Sequence, residues 1–295
     1  MDRQTQLSGQ VAVVTGAGQG IGAAVARRLA GAGSRVMVAE LNETTGQRTV
    51  DQIVNAGGEA AFVPTDVGIE AQARGCVEAA VERWGHIDTL VNNAWGGGSI
   101  SRLEWKSTAE MERAWRVGFM SGFWTMQAAF PHMKRQHLSS VAADGRSVEA
   151  GSTDAKGGSI VNVCSLNGVN AHVFSVEYNT AKEAVRALTR TAAVEWGRHQ
   201  IRSNAICPAA ATEAYLDFRA NNSETAEEML KENPMRRMGD PDADIAGVVL
   251  WLASADMSYV NGNTIFLDGG AHVNGVTWRP EMPEELPMAP TGEAR

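Results

Sequence analysis

The stretch QVAVVTGAGQGIGAAVARRLAGAG, residues 10–33, sets the architecture. Residues 10–14 are a short continuous apolar run of strand length, and the Ala-rich segment that follows carries apolar residues at helical spacing. Between them lies the turn TGAGQGIG, residues 15–22. Gly16 suits the tight turn, Gly20 lets backbone approach a pyrophosphate, and Gly22 lets the helix pack closely on the strand. The helix start, spanning Gly18, Gln19, Gly20, Ile21 and Gly22, then offers free N–H groups and a positive dipole end to phosphates. A glycine-rich turn in this strand–turn–helix context points to a dinucleotide site.

Working outward, SRVMVAE (34–40) is a second strand ending in Glu40, eighteen residues beyond Gly22. A carboxylate there is placed to accept adenosine ribose hydroxyls. It would repel a 2′-phosphate, and Gln19 brings no compensating cation, so the expected cofactor is NAD rather than NADP. Residues 44–56 read as an amphipathic helix, and AAFVPTDV (60–67) as a third strand. Asp66 and Val67 at its end are placed to meet an adenine edge. After a further helix, HIDTLVNNA (86–94) ends in Asn92 and Asn93, one expected to tie strands together and Asn93 to face the ligand. Strands and helices alternating with short connections predict an α/β fold with a doubly wound parallel sheet covered on both faces.

A second chemical signal lies in SLNGVNAHVFSVEYNTAK, residues 165–182. Tyr178 and Lys182 are four apart, so on a helix both leave the same face. An ammonium beside a phenol favours the phenolate, and a phenol tuned toward working pH can exchange a proton with an alcohol oxygen. Ser165, after an apolar run, is placed to hydrogen-bond that same oxygen.

Together these motifs resemble the short-chain dehydrogenase/reductase family over roughly residues 8–271. The family's TGxxxGxG corresponds to Thr15–Gly22, its Asp-Val to Asp66–Val67 and its NNAG to Asn92–Trp95. Its Ser and YxxxK correspond to Ser165 and to Tyr178–Lys182, and IRSNAICP (201–208) and TIFLDGG (264–270) follow in order. The resemblance implies a single Rossmann-type domain of about seven strands and an NAD-dependent interconversion of a secondary alcohol and a ketone. It also implies Lys182 on the nicotinamide ribose, Thr212 near the carboxamide, a substrate lid over 209–234, and a homotetramer or dimer. Two departures stand out: Trp95 replaces the final glycine of NNAG, and Gly118 occupies the position of the family's catalytic Asn, which holds a water in a proton relay. Two rival readings are an NADPH-dependent ketone reductase, which Glu40 disfavours, and a non-catalytic NAD-binding sensor, suggested by Gly118.

The remaining expectations are coarser. Trp95 and Phe174, both flanking catalytic segments, are candidates for an apolar substrate wall suited to a bulky cyclic or aromatic alcohol. Met111, Trp115, Phe119 and Met126 follow helical spacing, as in a core or an oligomer face. Residues 134–157 read as an inserted polar loop, and 272–295 as a Pro-rich acidic tail that Trp278 could anchor on a neighbouring subunit. The net charge of −8 with no basic block argues against nucleic acid and anionic lipid as partners, leaving a small-molecule substrate. No apolar run is long enough to span a bilayer and no signal peptide is evident, so a cytoplasmic setting is expected. Cys76, Cys164 and Cys207 have no metal spacing and read as small buried residues; no metal is expected.

Overall fold

A computed structural model of the chain describes residues 6–96, 98–143 and 157–273. In chain order the elements are β1 (Val11–Thr15), α1 (Gly20–Gly31), β2 (Arg35–Glu40), α2 (Glu43–Asn55), β3 (Glu59–Pro64), α3 (Glu70–Trp84) and β4 (Thr89–Asn92). They continue with α4 (Thr108–Trp115), α5 (Ser121–Ala143), β5 (Gly158–Val163), α6 (Leu166–Val169), α7 (Val176–Trp196) and β6 (Ile201–Pro208). The last are α8 (Glu213–Asn221), α9 (Ser223–Glu232), α10 (Ala246–Ala253) and β7 (Thr264–Leu267).

The strands form one seven-stranded sheet in the order β3-β2-β1-β4-β5-β6-β7, and every pairing is parallel. Alternation along β1 divides the core. Ala12 and Val14 pack with Ala24, Val25 and Val249 of α1 and α10, whereas Val11 and Val13 pack with Val77, Met126 and Ala129 of α3 and α5. A parallel sheet buried on both faces reads as continuous apolar runs, as β1 and β5 do. Chain direction across the sheet reverses between β1 and β4, and the crevice at the strands' carboxyl ends beside such a reversal is where ligands bind in these folds.

The polar stretch after Lys134 differs from expectation. Helix α5 continues through it to Ala143, with Met133 and His137 buried one turn apart. Gln136 explains the continuation, since its amide donates to Asp88 Oδ1 at 3.0 Å and its carbonyl accepts from Ile87 N at 3.3 Å. Those partners are remote in sequence, so the helix is anchored by contacts that periodicity alone does not reveal. The rest of that loop and the tail beyond Val273, including Trp278, lie outside the described residues. The aromatic stripe is likewise divided: a π turn at Arg116–Met120 separates α4 from α5. Met126 is buried, while Trp115 is 42% exposed and its ring lies 4.6 Å from that of Phe119. Among the described residues, no helix is long and apolar enough to cross a membrane.

Candidate active site

The glycine loop leaves β1 through two left-handed residues, Gly16 (φ +62) and Gly20 (φ +52), a conformation that costs glycine little. At Gly22 a Cβ would stand 2.1 Å from the Gly16 carbonyl oxygen, so only hydrogen permits helix and loop to meet there. Gln19 precedes α1 without a side-chain cap, which leaves the first-turn N–H groups of the helix to an incoming acceptor. This cradle fits a pyrophosphate.

Glu40 ends β2 beside the loop. Its Oε2 accepts from Gly18 N at 2.9 Å, and its Oε1 accepts from Leu41 N at 2.9 Å and Asn42 N at 3.1 Å. Backbone donors therefore fix the carboxylate at the cleft margin, next to Thr65, Asp66 and Val67 from the end of β3. Asp66 Oδ1 accepts from Gly68 N at 2.8 Å, which shapes that turn.

Both asparagines after β4 act as ties. Asn92 donates to Asn162 Oδ1 on β5 at 2.8 Å and accepts from Thr125 Oγ1 of α5 at 2.7 Å. Asn93 borders the cleft, yet its amide donates to the carbonyls of Thr15 and Gly16, each at 3.0 Å. It thus holds the glycine loop in shape, and the expected split into one tie and one ligand-facing residue does not hold for its amide donors.

The residues expected to handle the proton gather at the end of β5 and the start of α7. Ser165 caps α6, its hydroxyl accepting from Asn167 N at 3.1 Å, and it stands where its hydroxyl favours the ionised form of the Tyr178 phenol. Lys182, one turn along α7, is buried and donates to the Val163 carbonyl at 2.7 Å. Its Nζ lies 5.6 Å from the Tyr178 ring centroid. The expected acidification of the phenol by this lysine is not what the geometry gives. Burial pushes the Tyr178 phenol above its ordinary value, the Ser165 hydroxyl pulls it only part of the way back, and burial lowers the Lys182 ammonium as well. Desolvation disfavours both charged forms.

Trp95 stands against this pair. Its ring meets that of Tyr178 edge-on, centroids 4.6 Å apart at 84°, and lies 5.5 Å from Lys182 Nζ. The two departures from the family pattern are one arrangement: a Cβ at Gly118 would stand 2.6 Å from Cζ3 of Trp95 and 2.9 Å from the Ala181 Cβ. No side chain can occupy position 118 while the indole is there.

These residues border a single cleft of ≈ 1390 Å³ that runs from Gly16, Gln19, Gly20, Ile21 and Glu40 to Ser165, Tyr178 and Lys182. Thr212 borders it too, capping α8, with its methyl 3.4 Å from a Cβ built at Gly20. Phe174 does not border it. Phe174 has a left-handed backbone (φ 65) and lines a separate hollow of ≈ 490 Å³ beyond the 171–173 turn, so its predicted place on the substrate wall is corrected. The sequence reading missed His172, Asn170, Met229 and Met238, which also border the cleft. His172 lies between Ser165 and Tyr178, and Met229 lies in the expected lid over 209–234, signals that were available; Met238 comes from beyond that lid and gave none.

A buried network also went unseen. Lys106 Nζ lies 2.8 Å from Glu177 Oε2, with the two side chains 2% and 1% exposed. Ser99 N donates to Glu177 Oε1 at 2.9 Å, and Ser99 Oγ donates to Glu110 Oε1 at 2.6 Å. Hydrogen bonds from Ser99 and Ser107 hold the Glu110 carboxyl down at about 2. The loop after β4 is thereby pinned to the residue that precedes Tyr178. All three cysteines are buried thiols, Cys76 and Cys164 pushed up to about 12 by desolvation and Cys207 to about 11. Thiols so far from ionising are poor nucleophiles and poor metal ligands. Among the described residues, no group of three or more His, Cys, Asp or Glu side chains could hold a metal ion.

Comparison with known proteins agrees with this geometry. A family model described as Enoyl-(Acyl carrier protein) reductase matches residues 16–272. A 7alpha-hydroxysteroid dehydrogenase of Escherichia coli is 31% identical over 265 residues, covering 90% of this chain and 95% of the relative. A 4-formylbenzenesulfonate dehydrogenase of Comamonas testosteroni is 34% identical over 270 residues, covering 90% and 99%. A solved 7 alpha-hydroxysteroid dehydrogenase, complexed with NADH and 7-oxo glycochenodeoxycholic acid, matches with TM-score 0.81 at 30% identity, covering 95% of this chain and 99% of that one. Matches of this extent, running from the glycine loop to the end of the sheet, make the chain a member of the short-chain dehydrogenase/reductase family of oxidoreductases.

Proposed function

We propose that this oxidoreductase interconverts a secondary alcohol and a ketone with NAD(H), on a bulky cyclic, aromatic or steroid-like substrate. The observation that carries the reading is the gathering of Ser165, Tyr178 and Lys182 on the wall of a cleft whose other end is an uncapped glycine-rich helix start. The nicotinamide, when bound, accepts or returns the hydride. The chain's own residues do the rest. Gly16, Gly20 and Gly22 admit the pyrophosphate, and Glu40 takes the ribose hydroxyls. Ser165 donates a hydrogen bond to the substrate oxygen, Tyr178 takes or gives that oxygen's proton, and Lys182 holds the ribose. Helices α8 and α9 act as a lid that excludes water from the reacting atoms.

The substrate class follows from the walls. Trp95, Leu166, Val173, Met229 and Met238 give the catalytic end an apolar lining, and the cleft exceeds the usual range of about 300–1,000 Å³ for one ligand. Relatives named for a hydroxysteroid and for a formylbenzenesulfonate support a ringed substrate. The test is a panel of hydroxysteroids, cyclic alcohols, aryl alcohols and small polyols, with the matching ketones, assayed with NAD(H). Turnover that favours small polyols over every ringed alcohol would overturn the substrate class. The exposed Trp115, with Phe119 beside it, supports a homo-oligomer built on this face.

Two expectations arise directly. A 2′-phosphate beside the fixed Glu40 carboxylate meets like charge at close range, worth about 2–4 kcal/mol at the effective dielectric of a protein margin. NADH should therefore bind about 30- to 700-fold tighter than NADPH. Glu40→Gln keeps an acceptor for Leu41 N and Asn42 N while removing the charge, and should narrow that ratio about tenfold or more. Titration of both proteins with both reduced cofactors measures it, and equal ratios would dismiss Glu40 as the discriminator.

The second concerns pH. With burial holding the phenol above its ordinary value, the protonated form persists through neutrality and is lost only as pH climbs through the raised pKa. Ketone reduction needs that proton, so its kcat should stay level across neutral pH and fall at the alkaline end. Alcohol oxidation needs the phenolate, so its kcat should climb throughout the alkaline range. Opposed profiles in the two directions are the expected result; an oxidation rate already level at neutral pH would contradict it.

A further inference from the structure

We infer that Trp95 is a positioning residue for Tyr178 and Lys182, seated there by Gly98 and Gly118. The inference rests on the proton role proposed for Tyr178 and adds the group that sets how that phenol stands and how dry it is.

The seat is specific. A Cβ at Gly118 would meet Cζ3 of the indole at 2.6 Å and Cε3 at 3.1 Å, and one at Gly98 would meet Cζ2 at 3.1 Å. The six-membered ring thus lies between two backbone positions that both lack side chains, with Ala181 closing the floor near Gly118. Gly118 itself sits inside the π turn, a local distortion that often marks functional sites in helices. A tryptophan given room by two glycines on separate segments, and inserted beside a buried phenol and ammonium, is more than wall lining.

From that seat the ring acts on both groups. It meets the Tyr178 ring at 84°, the edge-to-face geometry aromatic pairs prefer, which fixes the orientation of the phenol. It also lies within cation–π range of Lys182 Nζ, which donates to the Val163 carbonyl. Both interactions replace water with a hydrocarbon surface, so the indole contributes to the burial that governs the phenol's ionisation. The other titratable groups around the phenol are Lys182, Cys164 and Cys207. The Glu177–Lys106 pair sits on the adjoining residue, and His172 borders the same cleft. Changing Trp95 or Gly118 removes none of these groups, so a moved titration reports the indole's effect on their setting.

The experiment is a double-mutant cycle on Trp95→Ala and Gly118→Ala, with Trp95→Phe as the conservative variant. Each protein is read by kcat and by ultraviolet titration of the phenolate, with Tyr178→Phe as the blank for the other two of the three tyrosines. Gly118→Ala should displace the indole and lower kcat about 10²-fold, since small misplacements near reacting groups cost that much. In the Trp95→Ala background the same change should cost much less, because the indole is gone and only the 2.9 Å approach to the Ala181 Cβ remains. Trp95→Ala should also let the phenol titrate at lower pH than in the native protein, and Trp95→Phe should recover most of kcat. Equal costs of Gly118→Ala in both backgrounds, or a phenol that titrates identically in native and Trp95→Ala proteins, would overturn the inference. The titration needs no substrate, so it decides the matter even if the alcohol panel yields no turnover, and a panel failure alone would count against the reaction and not against Trp95.

Discussion

Replacing Tyr178 by Phe should lower kcat about 10²–10⁴-fold while the protein stays folded and NADH affinity stays near native. The magnitude is that of removing a positioned general acid/base, the only role the missing oxygen is asked to fill. The aromatic ring remains, and with it the edge contact to Trp95 that fixes the start of α7. Ser165, whose hydroxyl influences the phenol, keeps its place by capping α6 through Asn167 N. Nothing in the glycine loop or around Glu40 depends on the lost oxygen, so a fluorescence titration with NADH should be almost unchanged. Steady-state kinetics on the best alcohol from the panel, alongside that titration, measures both quantities. A variant that kept kcat within about tenfold of native would show that the substrate proton travels by another group, with His172 the next to examine.

What the sequence made legible was whatever depends on local pattern. The turn after β1 needs glycine at φ +62 and φ +52, and the residues there are glycine. Apolar runs of strand length alternating with helical periods leave few options besides a parallel sheet. The four-residue step from Tyr178 to Lys182 puts both on one helix face wherever that helix goes. What failed to show depends on surfaces from remote segments. The direction of the Tyr178 shift is set by burial, and the walls responsible come from the turn after β4, the π turn and the end of β5. Phe174 looked adjacent to the cleft by number, but a left-handed backbone at Ala171 and again at Phe174 turns it into the neighbouring hollow. Trp95 and Gly118 read as two separate oddities, because only packing reveals that one makes room for the other.

Lys106 is the residue outside the cleft whose loss should cost most. Its Nζ is paired with Glu177 at 2.8 Å with both side chains almost fully buried, and it also bonds the carbonyl and hydroxyl oxygens of Ser99. Lys106→Met leaves the Glu177 carboxylate buried without its counter-charge, which should destabilise the protein by about 3–5 kcal/mol. Adding Glu177→Gln removes the stranded charge yet retains a carbonyl to accept from Ser99 N, which now donates to Oε1 at 2.9 Å. Keeping that acceptor avoids the penalty of about 1–3 kcal/mol for an orphaned buried N–H. Most of the lost stability should therefore return in the double variant, as measured by urea midpoints at unchanged slope. A Lys106→Met cost below about 1 kcal/mol would mean that water reaches the pair and that it behaves like a surface bridge. The double variant then separates two roles. Its fold is sound, but the loop bearing Trp95 at its start keeps only the Ser99 N bond to residue 177 and loses both the Lys106 pair and the Lys106 bonds to Ser99, so kcat should remain depressed after stability has recovered.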